Sequence, residues 1–230
     1  MKRLHFLVEG PTEKEFVEAL FHGHFARRDM VCDARLLTTS RDWNCGRFYK
    51  GGLASYGKLR YEIVESIKSD HGDDSFFTTF LDFYGLPNDF PGVTEVTSTN
   101  HREVVSGIES AFLNDIQSCL PSLNISKVFV PNIMCHEFES LVLSDVSKLA
   151  CVYLDRQREL EQLAAQVSEF GDPELVNSSP ETAPSKRIVK LIPEYDKATA
   201  GPLAAIEIGL PALRQKCQHF NDWVTRLEAL

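Results

Sequence analysis

The most constraining feature of this chain is a short apolar run that ends in Glu9-Gly10-Pro11-Thr12-Glu13. The run, Leu4 to Val8, predicts a strand, and the glycine and proline end it before a helix opens at Thr12. Glu9 then lies at the carboxyl end of a first strand, and Glu13 lies in the first turn of the following helix. Because sites in open α/β sheets lie outside the carboxyl ends of strands, we expect a functional site here.

Composition and charge are those of an ordinary globular protein. The chain has 230 residues, of which 43% are hydrophobic and 25% charged, and its net charge is −9. A chain of this length and composition buries a substantial core. Proteins that bind nucleic acids tightly are usually basic, so the negative charge counts against a stand-alone, high-affinity nucleic-acid binder.

The sequence shows no signal for export or membrane insertion. No stretch approaches the roughly 20 apolar residues of a membrane span, and the N-terminal run is too short for a signal peptide. Six cysteines are scattered without a Cys-x-x-Cys pair, which excludes the zinc-ribbon pattern and favours reduced thiols. We therefore expect a cytoplasmic protein with no membrane partner.

Strand-like and helix-like segments alternate through the first part of the chain. After Leu4 to Val8, strands are predicted at Met30–Thr38, Ser75–Leu81 and Lys127–Ile133. Helices are predicted between and after the strands, at Thr12–Arg28, Ala54–Ser69, His101–Ile116 and Met134–Leu143. This order predicts an α/β fold with a Rossmann-like, mostly parallel sheet flanked by helices.

The remainder of the chain predicts helices without strands. Residues 1–170 are interpreted as the α/β core, and residues 171–185, which are rich in Pro and Ser, as a linker. Residues 186–230 are predicted to be a helical C-terminal extension that packs on the core and ends in a helix over Leu210–Leu230. A polar, glycine-containing loop is predicted at Thr39–Gly52.

Acidic residues follow three of the predicted strands. Glu9 and Glu13 follow the first, Asp82 follows the strand at Ser75–Leu81, and Glu137 and Glu139 follow the strand at Lys127–Ile133. Parallel connections bring the carboxyl ends of these strands to the same edge of the sheet. Hard divalent cations such as Mg²⁺ prefer oxygen ligands, so the pattern predicts a metal site suited to phosphodiester cleavage.

Most of these acids also have a structural interpretation. Glu13 lies in a first helical turn, where acids favour the helix dipole, and Asp82 can simply start the aromatic turn that follows it. Glu137 and Glu139 are two residues apart and cannot share a helix face, so one of them can face solvent. Glu9, which ends a buried strand, has little structural purpose and favours function.

Several short motifs carry a family resemblance. Glu9-Gly10-Pro11-Thr12-Glu13 after a hydrophobic strand, and Asp82 in Leu81-Asp82-Phe83-Tyr84-Gly85-Leu86-Pro87, resemble the first and second motifs of the Toprim domain. Topoisomerases, DnaG-type primases, recombination proteins and OLD-family nucleases share that domain. Other segments resemble a family of small bacterial stand-alone Toprim-like proteins of unknown function: Phe90-Pro91-Gly92, His136-Glu137-Phe138-Glu139, Pro180 to Arg187, Tyr195-Asp196-Lys197, and Cys217 to Phe220 with Trp223.

The resemblance implies a function and partners. It implies a compact Toprim core, binding of Mg²⁺ or Mn²⁺, and nuclease chemistry on nucleic acid, either DNA or RNA. Related Toprim proteins are often encoded beside ABC-type or AAA ATPases in anti-phage defence systems, so an ATPase partner is also implied. Whether the protein forms a homo-oligomer is left open.

The resemblance also implies roles for individual acids. Glu9 takes the general acid/base or metal-ligand position of the first motif, Glu13 its second acid, and Asp82 the first acid of the D-x-D motif. The chain departs from that motif because Tyr84 stands where the second acid is expected. The predicted substitutes for the missing metal ligand are Glu137 and Glu139.

A late basic residue completes the implied site. OLD-like enzymes use such a residue, and Lys186, Arg187 and Lys197 are the candidates in this chain. The assignment rests on position and not on a motif. Lys186 or Arg187 is expected to contact the scissile phosphate.

Three classes of function stay open from the sequence. The first is a metal-dependent nuclease that works with an ATPase. The second is a non-catalytic Toprim-like module that binds a partner or a nucleotide, which the missing acid at Tyr84 favours. The third is a structural or interaction protein, which predicts that the carboxylates of Glu9, Asp82 and Glu139 do not converge on a space that one cation can fill.

Overall fold

The computed structural model describes residues 1–37, 55–70, 72–95, 98–177 and 180–230. Five strands are present in these residues: β1 (Lys2–Val8), β2 (Met30–Leu36), β3 (Ser75–Asp82), β4 (Phe129–Val130) and β5 (Ile133–Met134). The predicted loop Thr39–Gly52 lies outside the described residues.

The strands form a parallel sheet with the order β2-β1-β3-β4, and β5 also pairs with β3. Val8 lies opposite Phe80, and Asp82 lies opposite Met134. The ends of β1, β3 and β5 therefore reach the same edge. Glu9 and Asp82 lie at that edge, as the alternation of strands and helices predicts. The predicted α/β class with a mostly parallel sheet is confirmed.

Ten α-helices flank or follow the sheet in the described residues. A π-helical segment, Val17–Phe21, joins the first two into one continuous helical stretch. The bounds are α1 (Pro11–Phe16), α2 (His22–Ala26), α3 (Tyr56–Ser69), α4 (His101–Cys119), α5 (Glu139–Val142), α6 (Gln157–Ser168), α7 (Pro184–Leu191), α8 (Lys197–Ile208), α9 (Leu210–Lys216) and α10 (Gln218–Glu228). None of them is both long and apolar enough to cross a membrane.

Each face of the sheet has its own hydrophobic core, because side chains alternate between faces along a strand. Phe6 and Phe80 belong to a core completed by α1, α2 and the C-terminal helices, whereas Phe77 and Leu81 belong to one completed by α3 and α4. On the first face Trp223 of α10 packs against Phe6 and Phe80 at ring-centroid distances of 5.9 and 5.1 Å. The helical C-terminal part is thus attached directly to the sheet.

The segment after β4 differs from its prediction. The expected strand Lys127–Ile133 is divided into β4 and β5, and the expected helix Met134–Leu143 begins only at Glu139. His136 has a φ of 66°, in the left-handed region, which interrupts a helix at that point. The backbone N–H of Phe138 donates to Asp82 Oδ1 at 2.8 Å instead of to a helical carbonyl. A tertiary contact has replaced local helix formation.

The expected C-terminal helix Leu210–Leu230 is two helices. Cys217 has an extended backbone (φ −113°, ψ 99°) between α9 and α10. The first turn of α10 donates two backbone N–H groups, from His219 and Phe220, to the buried carboxylate of Glu174 at 2.8 and 2.9 Å. Those bonds satisfy donors that every helix start leaves free, so the new start at Gln218 is stabilised.

Candidate metal centre

Five carboxylates and one lysine from separate elements lie together at the carboxyl edge of the sheet. Glu9 follows β1 directly, Asp82 is the last residue of β3, and Glu139 is the first residue of α5. Glu13 lies on α1, Glu137 between β5 and α5, and Lys197 is the first residue of α8. We call this group the carboxylate centre: Glu9, Glu13, Asp82, Glu137, Glu139 and Lys197.

Lys197 pairs with three of the carboxylates at once. Its Nζ lies 3.0 Å from Glu139 Oε2, 3.2 Å from Asp82 Oδ2 and 3.5 Å from Glu137 Oε2. Glu139 is fully buried, while the Lys197 side chain is 41% exposed. The ammonium therefore lies on the solvent-exposed side of the carboxylates. A metal ion bound by the same oxygens would compete with it for that position.

Backbone groups hold two of these carboxylates in place. Phe138 N–H donates to Asp82 Oδ1 at 2.8 Å, and Ser185 N–H donates to Glu137 Oε1 at 2.6 Å. In each case the second oxygen is left facing Lys197. Tyr195 donates its hydroxyl to Glu139 Oε1 at 3.2 Å in the same manner. The protein thus directs one oxygen from each acid toward a common point.

Glu9 is enclosed by the turn that follows Asp82. Its Oε2 accepts the Asp82 backbone N–H at 3.4 Å. A Cβ atom at Gly85 would lie 2.8 Å from Glu9 Oε2, closer than real Cβ contacts, so any larger residue there would displace the Glu9 carboxylate. Glu13 is buried one helical turn further on. The first motif therefore faces Asp82 across the sheet edge.

Burial and the proximity of like charges shift the pKa values of these groups. Burial, and then the charge of Asp82, raise the pKa of Glu9 to about 7 and that of Glu13 to about 8. Burial also raises the pKa of Glu139 to about 7 and raises that of Asp82. Burial opposes the charged form of Lys197, but the charges of Asp82, Glu139 and Glu137 outweigh it and raise its pKa. Negative charge exceeds positive charge throughout the centre.

The donor set suits a hard divalent cation. Carboxylate oxygens are the ligands that Mg²⁺ and Mn²⁺ prefer, and the buried Glu139 Oε2 has the Lys197 ammonium, at 3.0 Å, as its partner. In the described residues, no group of three or more His, Cys, Asp or Glu side chains is arranged so that it could hold a metal ion as it stands. The carboxylates of Asp82, Glu137 and Glu139 would hold the ion, with Glu9 and Glu13 beside them.

Two of the predicted basic residues lie elsewhere. The Arg187 guanidinium donates to the Thr182 carbonyl at 2.9 Å and stacks on the Phe170 ring at 4.9 Å, and Lys186 is exposed. Among the described residues, neither forms an ion pair or hydrogen bond with a carboxylate of the centre. Lys197, the third candidate, is the one that does.

Sequence reasoning also missed several supporting groups. The Tyr195 hydroxyl and the backbone of Phe138 and Ser185 position carboxylates, and Gly85 admits Glu9. All four lie within the short motifs described above, and Tyr195 is two residues before Lys197. Their positions were visible in the sequence, but their contacts depend on the fold.

A second buried group of charges lies between α4 and α10. Its members pair acids with bases and with backbone donors. Glu174, which is fully buried, accepts bonds from Arg102 Nε and Nη2 at 3.2 and 3.1 Å as well as from the start of α10. His219 Nε2 lies 3.1 Å from Glu109 Oε1. We call this group the Glu174 cluster: Arg102, Glu109, Asp172, Glu174 and His219.

Comparison with known proteins gives a family. No curated protein and no solved structure matches this chain significantly. One family model matches residues 8–228, from the last residue of β1 to the last residue of α10, and so includes the whole carboxylate centre. The chain therefore belongs to the family described as Domain of unknown function (DUF4276).

Proposed function

We propose that the protein is a divalent-metal-dependent phosphodiester hydrolase, a nuclease of the Toprim type. One observation carries the proposal: five carboxylates lie at the carboxyl edge of a parallel sheet, and three of them share a single ammonium group. Such crowding is costly unless a cation compensates it, and perturbed acids cluster at functional sites. The similarity of the first motif and of Asp82 to Toprim motifs supports the same assignment.

The residues of the centre would have different roles in the reaction. Asp82, Glu137 and Glu139 would hold Mg²⁺ or Mn²⁺, which when bound supplies Lewis acidity to the phosphate and activates a water. Glu137 or Glu139 would stand in for the acid that Tyr84 replaces, since both share the Lys197 ammonium with Asp82. Lys197, displaced from its three carboxylates, would then neutralise charge that develops on the phosphate.

The wider setting follows from the family resemblance. Because the net charge is −9, capture of a long nucleic acid by this chain alone is weak. A partner that delivers the substrate removes this difficulty, and related Toprim proteins are often encoded beside ABC-type or AAA ATPases. We propose that the nuclease is the effector of such an ATPase-partnered anti-phage defence system.

A second function is favoured by a specific observation. Tyr84 occupies the place of the second D-x-D acid, and Lys197 already supplies a cation to the remaining acids. A non-catalytic Toprim-like module that regulates an ATPase would show both features. Calorimetry with Mn²⁺ separates the two, since this alternative predicts a tight ATPase complex and no metal binding.

The direct test is cleavage of single- and double-stranded DNA and RNA in Mg²⁺ or Mn²⁺, with and without the ATPase subunit. Glu9→Gln and Asp82→Asn should each lower the rate about a hundredfold or more, the scale of a lost transition-state contact. Glu18→Gln is the matched control, because Glu18 is an exposed acid outside the carboxylate centre that pairs with Lys14 at 3.7 Å. Equal activity of all three variants would overturn the assignment.

A further inference from the structure

The turn that follows Asp82 presents aromatic side chains beside the centre. Phe83 and Tyr84 form the start of a short 3₁₀ turn, Phe83–Gly85, and both are half-buried. Gly85 of the same turn lies against Glu9, and the charge of Glu137 raises the pKa of the Tyr84 phenol further than burial alone does. The turn therefore lies between Asp82, which directly precedes it, and Glu9, which its glycine contacts.

A stack of rings fixes this turn. Tyr84 stacks on His136 at 5.6 Å, and His136 stacks on His101 at 3.8 Å with an interplanar angle of 10°. Phe83 closes the set by packing edge-on against His101 at 4.7 Å. The Tyr84 backbone N–H donates to the His136 carbonyl at 3.0 Å, and Asn177 donates to the Tyr84 hydroxyl. The half-buried turn is thus held by ring contacts and by two hydrogen bonds of Tyr84.

His136 is retained at a cost. Its φ of 66° is strained for a residue with a side chain. The residue is only 4% exposed, yet neither ring nitrogen has a hydrogen-bond partner among the described residues. Backbone strain and unpaired buried polar atoms concentrate at functional sites. In this position His136 stacks on one face of the Tyr84 ring.

The described cations beside the ring set are already paired with carboxylates. Lys197, in the neighbouring centre, pairs with Asp82, Glu137 and Glu139. Arg102, the neighbour of His101, is paired with Asp172 and Glu174. A ligand beside the centre therefore gains little from ion pairing here and can gain from stacking, as unpaired nucleobases do on aromatic side chains.

We propose that Phe83 and Tyr84 are the nucleobase subsite of the centre, so that its substrate is a single-stranded polynucleotide held by an unpaired base. The inference rests on the proposed function and narrows its substrate class. A base stacked on this turn places its own phosphate toward Glu9 and Asp82. Duplexes, whose bases are stacked on one another, cannot use the subsite without being opened.

The test is binding to a fluorescent oligothymidylate or oligouridylate and to a strand of equal length made of abasic residues. Fluorescence anisotropy is measured in Ca²⁺, so that dissociation constants are obtained whether or not cleavage occurs. The wild type should bind the base-containing strand about 5- to 150-fold more tightly than the abasic strand, the range for one stacked base. Tyr84→Ala and Phe83→Ala should bring that ratio toward one.

Two controls keep the test specific. Tyr84→Phe keeps the ring and should keep the ratio, and Tyr61→Ala removes a tyrosine on α3 that is 65% exposed and should also keep it. The affinity should vary weakly with salt, with a logarithmic slope on the order of −1, because single strands contribute about −0.7 per phosphate contact. Equal binding of both strands by the wild type, or a slope steeper than about −3, would overturn the inference.

The two proposals fail in different ways. Base-dependent binding without any metal-dependent cleavage refutes the nuclease assignment and supports the subsite. Cleavage that depends on Glu9 and Asp82 but proceeds equally well on duplex and single strands, with no effect of Tyr84→Ala, supports the nuclease and refutes the subsite.

Discussion

The carboxylate centre and the Glu174 cluster contain the same kinds of buried group in opposite balance. Glu174 and Glu139 are both fully buried. Glu174 meets one arginine and two backbone N–H groups with both of its oxygens. Glu139 shares one ammonium with two other carboxylates and receives one hydroxyl. The difference teaches that a buried charge alone does not indicate a functional site. A buried charge with too few opposite charges and hydrogen-bond donors around it does.

The two regions also differ in what they stabilise. The Glu174 cluster joins α4, the segment before α7 and the start of α10, so its bonds hold distant parts of the chain together. The carboxylate centre joins as many elements, but through groups that repel one another. We therefore expect charge-removing substitutions to act oppositely in the two places.

The largest expected effect is that of Glu174→Gln. The amide would place an N–H₂ group against donors from Arg102 or His219 and would leave the arginine less compensated. Breaking a buried pair of this kind costs about 3–5 kcal/mol in the free energy of unfolding. Urea denaturation followed by circular dichroism measures it, and addition of Mn²⁺ should not restore the loss.

Lys197→Met should cost less, and metal should restore it. Removal of the ammonium leaves Asp82, Glu137 and Glu139 without their cation, but the lysine is 41% exposed, so we expect a loss of about 2 kcal/mol in EDTA. A metal ion at 100 times its dissociation constant returns about 2.7 kcal/mol. A variant whose unfolding midpoint is the same in EDTA and in Mn²⁺ would contradict the assignment of the centre as a metal site.

Glu139→Gln provides the sharpest comparison with Glu174→Gln, because the chemical change is identical. Here the substitution removes one of several crowded negative charges and keeps an acceptor for Tyr195. We expect the free energy of unfolding at pH 8 to change by about 1 kcal/mol or less. A loss as large as that of Glu174→Gln would mean that the two regions are equally compensated and would remove the contrast between them.

The smallest effect concerns the pH dependence of the Glu174 cluster. Burial opposes protonation of His219, but its hydrogen bond with Glu109 and the charges of Glu109 and Glu174 outweigh burial and raise its pKa above the usual value. His101 and Arg226 also face this group, the latter 3.8 Å from Glu109. A raised folded-state pKa contributes stability that is complete below about pH 6.5 and is lost as the pH rises through the folded value.

The measurement for that prediction is a pair of urea titrations. Wild type and His219→Gln are compared at pH 6 and pH 8, so that titration of Glu9, Glu13 and Glu139, which occurs in both proteins, cancels. The wild type should lose more stability between the two pH values than the variant does. Equal losses of stability in the two proteins would show that Glu109 does not raise the pKa of His219.

Local sequence signals predicted the regular parts of this fold well. The strands over Leu4–Val8 and Ser75–Leu81 and the helices over Ala54–Ser69 and His101–Ile116 are confirmed within a few residues, because apolar periodicity reflects burial on a face. The helix predicted over Met134–Leu143 was wrong before Glu139, where α5 begins. Its backbone bonds go to Asp82 and its conformation at His136 is left-handed, and neither depends on neighbours in the sequence.

The sequence by itself determined the α/β class and placed acids after three strands, since strand ends and turn residues are local properties. It also singled out Glu9 and Asp82 as the residues to examine. Only the tertiary structure decided that Lys197 and not Lys186 or Arg187 meets the acids, and that Glu174 has an arginine as its partner while Glu139 shares one ammonium with two other acids. The physical reason is that the balance of buried charge depends on which groups meet through space, and the chain order does not encode those distances directly.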